Sequence, residues 1–332
     1  MPSRSELPPE LRELPFAVAS ALAAGITPDR LRSRDLERPF HGVRIDPAGQ
    51  VELSRFGDLA SVRAAEEFTL LVSRCRAYVP RLRPGQFFGR ETAARLFKSP
   101  LPSEFRAADP LHVAAQAPGR APRGKGVAGY QAPASARIVD RFGLPIADPV
   151  DAWLSLASRV GASLTLDDLV AVAEHLVLDP HQLDPYDPRP YVTIENLREA
   201  VAAFRGRGGR AAASAIEHVR EGVESRPETL LRLLLVRAGL PEPEVGVDIY
   251  DAHDRWLGRA DQLFREWKVI SEYDGEQHRT SSAQYDRDET RIEDFHRAGY
   301  STVRIRKGQL FGRPHEAVDR VSRALRAAGW PG

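Results

Sequence analysis

A single cysteine, Cys75, among 332 residues rules out an internal disulfide framework and any cysteine-based zinc centre. No apolar run approaches the roughly 18 residues a membrane-spanning helix needs, so none is expected. The opening residues, MPSRSELPPELRELPF, lack the apolar core of a secretory signal. These absences predict a cytoplasmic protein with no membrane partner. Lysine is scarce, occurring only as Lys98, Lys125, Lys268 and Lys307, so the basic residues are almost all arginine. A GC-rich coding sequence accounts for that bias without appeal to phosphate chemistry. The net charge of +1 excludes a polycation that coats nucleic acid, but not a local basic face. No repeat with a period of about 20–50 residues is present, which excludes a solenoid.

What is present suffices for two or three domains with real cores, since 42% of the residues are hydrophobic. The pattern predicts an α/β chain with α+β multidomain organisation, in segments 1–58, 59–209 and 220–332. In the first, Ala17–Ala24 reads as a helix ended by Gly25. Thr27 then caps a second helix, Pro28–Arg34, with Pro28 in its first turn. That helix carries Arg30, Arg32 and Arg34, and the stretch from Arg38 to Ile45 reads as a β-ribbon. Helix, glycine turn, basic helix and ribbon is the order of a winged helix-turn-helix, and equally of a small structural hairpin with solvated arginines. In the second segment Ala64–Arg76, Asp148–Leu156 and Leu166–Leu176 read as helices, with Trp153 in the core. Gln86–Ala93 reads as a strand end running into another helix. Leu111–Gln116 and Gly126–Gln131 read as short strands. The basic loop between them, PGRAPRGK, reads as an exposed hairpin turn or a phosphate contact. The RGRGGR stretch, Arg205–Arg210, reads as a flexible boundary.

The wording PFAVASALAAGITPDRLRSRDLERPFHGVRI, followed by GRETAARLFKSPLP and GLPIADPVDAWLSLA, resembles the AbiEi-type antitoxin family over roughly the first two hundred residues. That resemblance implies a winged-helix DNA-binding module with a companion α/β domain. It also implies operator binding or a toxin partner.

The third segment reads as α-β-β-β-α-β-α. Its elements are Arg226–Ala238 capped by Ser225, then Val245–Tyr250, Trp256–Phe264, Lys268–Tyr273, Ala283–Ala298, Ser301–Arg306 and His315–Ala328. A three-strand meander followed by a crossover predicts a mixed sheet flanked by helices. Asp261 lies in the second strand, and Glu272 and Asp274 end the third. Alternation puts Glu272 and Asp274 on one face and Tyr273 on the other. A tight turn brings Asp261 opposite that end, and Glu228 can add a carboxylate from the preceding helix. Crowded carboxylates are costly unless a cation neutralises them, and an oxygen-rich set suits Mg²⁺ or Mn²⁺. The bland alternatives are a strand end with an Asp-Gly turn, and a capping box between Glu228 and Ser225.

The words SRPETLLRLLLVRAGLPEPE, GRADQLF, KVISEYDGEQH and YDRDETRIEDFHRAGYSTVRI resemble the PD-(D/E)XK nuclease superfamily, and more closely its very-short-patch-repair-type endonuclease domains. By position, Asp261 takes the first metal-binding aspartate, Glu272 the following acid and Glu228 the helix glutamate. The motif lysine is replaced by Asp274; repair-type relatives carry a downstream histidine instead, for which His278 is the candidate. The expected function is phosphodiester hydrolysis in DNA, with Asp261 and Glu272 holding the metal and His278 as acid or base. Asp274 either binds metal or orients His278. Arg287, Arg291 and Arg304 are candidate phosphate ligands, although Arg287 and Arg291 can equally form intrahelical ion pairs with Asp288 and Asp294. The alternatives are a non-catalytic antitoxin-like regulator on a degenerate nuclease fold, and a nuclease acting on RNA.

Overall fold

A computed structural model describes residues 6–47, 61–181, 184–275 and 282–332, with only the backbone described for 282–288. The chain is of the α/β class. It divides into two compact units, 1–158 with 184–188 and 159–183 with 189–332. Among the described residues no helix is long and apolar enough to cross a membrane.

The first unit begins with α1 (Pro9–Arg12), β1 (Phe16–Ala17), α2 (Val18–Ala23), α3 (Pro28–Arg32) and β2 (Val43–Arg44). Thr27 caps α3 as its sequence predicts, accepting a hydrogen bond from Arg30 N–H at 3.3 Å. β2 pairs with β1, and Glu37 bridges Ile45, so the ribbon folds back onto the strand before α2. Leu7, Phe16, Ala21, Leu31 and Leu36 form the small core of these elements. Next come α4 (Val62–Tyr78), β3 (Gln86–Phe88), α5 (Arg90–Leu96), β4 (Leu111–Gln116), β5 (Val127–Ala132), β6 (Ile138–Arg141), β7 (Leu144–Ala147) and α6 (Pro149–Ala157). The five strands form one sheet in the order β5-β4-β3-β7-β6. Phe87, Phe88, Leu111, Ile146 and Trp153 are fully buried.

Two features of this sheet depart from the sequence reading. β4 and β5 are parallel, with Leu111 opposite Val127 and Gln116 opposite Ala132. The basic stretch between them is therefore no hairpin turn. It must run back the whole length of β4, because a parallel neighbour starts at the same end. The β6–β7 hairpin had no counterpart among the expected elements. Its turn residues, Phe142 and Gly143, both have positive φ, and a phenylalanine there hides the Asn-Gly signal that such turns normally carry.

The second unit contains α7 (Leu166–Val177), α8 (Ile194–Ala203), α9 (Gly209–Ile216), α10 (Arg226–Arg237), β8 (Glu244–Tyr250), β9 (Trp256–Phe264), β10 (Val269–Asp274), α11 (Ser282–Arg297), β11 (Ser301–Arg306) and α12 (Pro314–Ala327). Its sheet order is β11-β10-β9-β8. β8, β9 and β10 form an antiparallel meander, and β11 joins β10 in parallel. One apolar cluster joins Leu231 and Leu235 of α10 and Val321 and Leu325 of α12 to Phe264, Val269 and Ile305. On the opposite sheet face, Phe295 of α11 packs with Ile249, Leu263 and Ile270. The 205–210 stretch lies within this unit and runs into α9.

α7 is tied to α10 by a buried ion pair. Arg232 and Glu174 are each 1% exposed, with Nη2 donating to Oε1 at 2.6 Å. Thr229 Oγ1 donates to Glu174 Oε2 at 2.6 Å, and Arg220 N–H donates to Oε1 at 2.9 Å. Arg232 also reaches Glu242 at 3.0 Å. Burial still pushes the Glu174 carboxyl above its usual range, against the pull of Arg232 and these bonds. Glu174→Ala removes the buried counter-charge of the guanidinium and leaves it Glu242 and the His218 carbonyl, to which Nη2 donates at 2.6 Å. It should cost about 3–5 kcal/mol in urea unfolding followed by a probe of this unit. A loss under about 1 kcal/mol would show that Glu242 and the His218 carbonyl suffice for Arg232.

Candidate functional site

The site is built where two strands stop pairing. β9 and β10 align Val269 with Phe264, Ile270 with Leu263 and Ser271 with Gln262. The ladder ends there, one step before Asp261 would face Glu272. The Tyr273 backbone N–H donates instead to Asp261 Oδ2 at 2.9 Å. A side-chain carboxylate thus takes the acceptor role that a strand carbonyl would fill. Alternation sorts the rest: Tyr273 packs towards the cluster under α10 and α12, while Glu272 faces α11.

The first turn of α10 brings Glu228 to the same end. Gln262 Nε2 donates to the Glu228 carbonyl at 3.0 Å, which fixes the helix start beside β9. The expected capping arrangement with Ser225 is present. Glu228 Oε1 accepts from the Ser225 hydroxyl at 2.6 Å, and Oε2 accepts from Glu224 N–H at 3.0 Å. Burial outweighs these bonds and pushes the Glu228 carboxyl up to about 7. Asp261 is raised well above the usual carboxylate range, first by burial and then by the negative charges of Glu228 and Glu272. Tyr273 N–H and the Arg291 guanidinium only partly offset this. Three acids therefore sense one another through poorly solvated surroundings.

Glu272, 4% exposed, is held by α11. Arg291 Nη1 lies 2.7 Å from Oε1 and Nη2 lies 3.2 Å from Oε2. Nη1 also donates to the Arg259 carbonyl at 2.8 Å. Gly258 makes this path possible. Its φ is +150°, and a Cβ there would stand 2.6 Å from Arg291 Cδ and 2.8 Å from Cγ. The sequence reading missed this residue, although glycine inside a strand does signal a close approach.

Asp274, where the motif expects lysine, lies 3.4 Å from Arg304 and 3.7 Å from Arg306, both of β11. Arg304 stands in register with Glu272 and also pairs with Glu289 at 2.7 Å. Among the expected phosphate ligands, Arg291 and Arg304 thus attend acids. His278 and the Arg287 side chain lie outside the described residues. In the first unit Arg30 pairs with Asp35 and Arg32 with Asp29, each at 3.0 Å, while Arg34 is exposed.

Among the described residues, no group of three or more His, Cys, Asp and Glu side chains is arranged to hold a metal ion. The donor types nevertheless suit a hard divalent cation. The acids are oxygen ligands only, and their mutual repulsion is what such an ion would relieve. To receive it, Glu272 would have to exchange its Arg291 bonds for the metal. Comparison with protein-family models, curated proteins and solved structures finds no match, so the reading of this site rests on its own geometry.

The raised Glu228 carboxyl has a measurable consequence for stability. Its folded value of about 7 exceeds the ordinary 4.5, so the fold binds a proton that the unfolded chain releases. This stabilisation is complete below pH 4.5 and is lost as pH climbs to about 7. The loss should be on the order of 2–3 kcal/mol across that interval, measured by urea unfolding at several pH values. Glu228→Gln should flatten the profile; an unchanged slope would remove Glu228 as its source.

Proposed function

We propose that the second unit carries a metal-dependent phosphodiesterase site of the PD-(D/E)XK kind, acting on DNA, and that the first unit contributes DNA binding. The observation that carries the reading is the convergence of charge from Glu228, Asp261 and Glu272 at the parted ends of β9 and β10. Mg²⁺ or Mn²⁺ held by Asp261 and Glu272 would supply charge neutralisation and a bound water of lowered pKa. Glu228 adds its charge from the first turn of α10, where its carboxylate is bonded to Ser225 and Glu224. Arg304 supports the reading in a second way. It brings positive charge from β11 to the strand end where the motif lysine is missing, while Asp274 holds it in place. Such a cation next to a scissile phosphate would stabilise the charge that develops on its oxygens. On the sequence reading, proton transfer falls to His278.

One observation favours a second reading. Glu272 already has a full counter-charge in Arg291, as expected for a nuclease fold retained without its activity in a DNA-binding regulator. Titration calorimetry with Mn²⁺ separates the two. The enzyme reading expects binding by the wild type that Asp261→Asn abolishes, together with Mg²⁺-dependent nicking of plasmid DNA that Asp261→Ala lowers by about 100-fold or more. Absence of Mn²⁺ binding in both proteins, or equal nicking by wild type and Asp261→Ala, would leave the regulator.

A further inference from the structure

The parallel pairing of β4 and β5 creates a second site that the carboxylate reading does not use. The chain between them returns along β4 as 117–126, and it is held down rather than hanging free. Gly119 N–H donates to the Gln116 carbonyl at 2.7 Å, and Gln131 Nε2 donates to the Gly119 carbonyl at 3.0 Å. The Pro122 carbonyl lies so close over Gly129 that a Cβ there would overlap it. Between this loop and the end of α4 is a cavity of about 670 Å³. Arg81, Arg83, Arg120 and Arg123 line it, with Tyr78 and Gln86, and among the described residues no acid does.

Four arginines in one cavity are a strong local excess in a chain whose net charge is +1. Arg83, Arg120 and Arg123 are exposed, and no ion pair to any of the three occurs among the described residues. Guanidinium groups gathered without a carboxylate suit an anion with several oxygens, because each presents a planar fork of donors. One cavity-lining residue is tied to the N-terminal elements. Arg81 donates to the His41 carbonyl, and the neighbouring Gly42 carbonyl accepts from Val18 N–H at 2.8 Å, so the ribbon turn is fastened to the cavity wall. A polyanion engaged by the N-terminal ribbon would lie next to these arginines, because Arg81 is bonded to the ribbon turn.

We infer that this cavity is a phosphate-backbone site for duplex DNA, formed by Arg81, Arg83, Arg120 and Arg123. The inference deepens the DNA-binding half of the proposed function and is independent of the carboxylates. The test is fluorescence anisotropy of the full chain with a labelled duplex in EDTA, over a series of salt concentrations, for wild type and for Arg120→Ala/Arg123→Ala. Neither side chain carries a hydrogen bond among the described residues, and circular dichroism with thermal unfolding checks that the variant folds. The expected result is binding weaker by roughly 10- to 100-fold and a salt dependence shallower by about two counterions. Unchanged affinity and slope overturn the cavity while leaving DNA binding elsewhere intact. No binding of duplex by the wild type overturns both, and an arginine-dependent loss confined to RNA overturns the assignment to DNA. Mg²⁺-dependent cleavage, measured separately, bears only on the carboxylate site.

Discussion

The second unit is organised around the early end of one β-ladder. Had β9 and β10 continued pairing past Ser271 and Gln262, the Tyr273 N–H would have needed a backbone carbonyl. It takes Asp261 instead, and the acid is thereby anchored inside a sheet whose neighbouring residues are apolar. A carboxylate in such a place is costly to ionise and attracts whatever can satisfy it. The rest of the site consists of such attachments. Gln262 fixes the first turn of α10, and with it Glu228, while Gly258 leaves room for Arg291 to cross β9 to Glu272.

The same unit handles buried charge in two contrasting ways. Glu174 and Arg232 form a closed set, with both carboxylate oxygens and the guanidinium occupied by protein groups. Around Asp261 the balance is different. Two further acids act on it, and the Arg291 guanidinium that partly offsets them is bonded to Glu272. The first arrangement is what a structural pair looks like, since both carboxylate oxygens of Glu174 and both terminal nitrogens of Arg232 have partners and only Arg232 Nε is left over. The second leaves negative charge in excess at a strand end, which is the condition under which a cation is stabilising.

The strands and helices of the C-terminal region were legible because their signals are local. Ser225, Pro227 and the leucines that follow mark α10, and the alternation from Trp256 to Phe264 marks β9, with observed ends within a residue or so of those read from the sequence. The face shared by Glu272 and Asp274 follows from the two-residue period alone. Pairing is a long-range matter: the C-terminal meander and its mixed sheet were readable, but the pairing in the first unit's sheet was not. Nothing in the basic loop says that β4 and β5 run parallel, and Phe142 conceals a tight turn. The partners of arginines were equally hidden. Arg291 read as an intrahelical pair or a phosphate ligand, and it instead crosses to a strand 19 residues away in sequence. A guanidinium can reach many acids, and spacing cannot choose among them.

α10 carries a catalytic candidate at one residue and a structural bond at the next. Thr229, beside Glu228, donates to Glu174 of α7, and Arg232 one turn later pairs with the same carboxylate. The helix that positions Glu228 is thus bolted to a segment lying well upstream of the 205–210 stretch, where the sequence alone would divide the protein. A fragment that started at that stretch would keep every strand of the C-terminal sheet and lose the more deeply buried of the two acids that pair with Arg232. The compact unit that holds this sheet begins at Arg159.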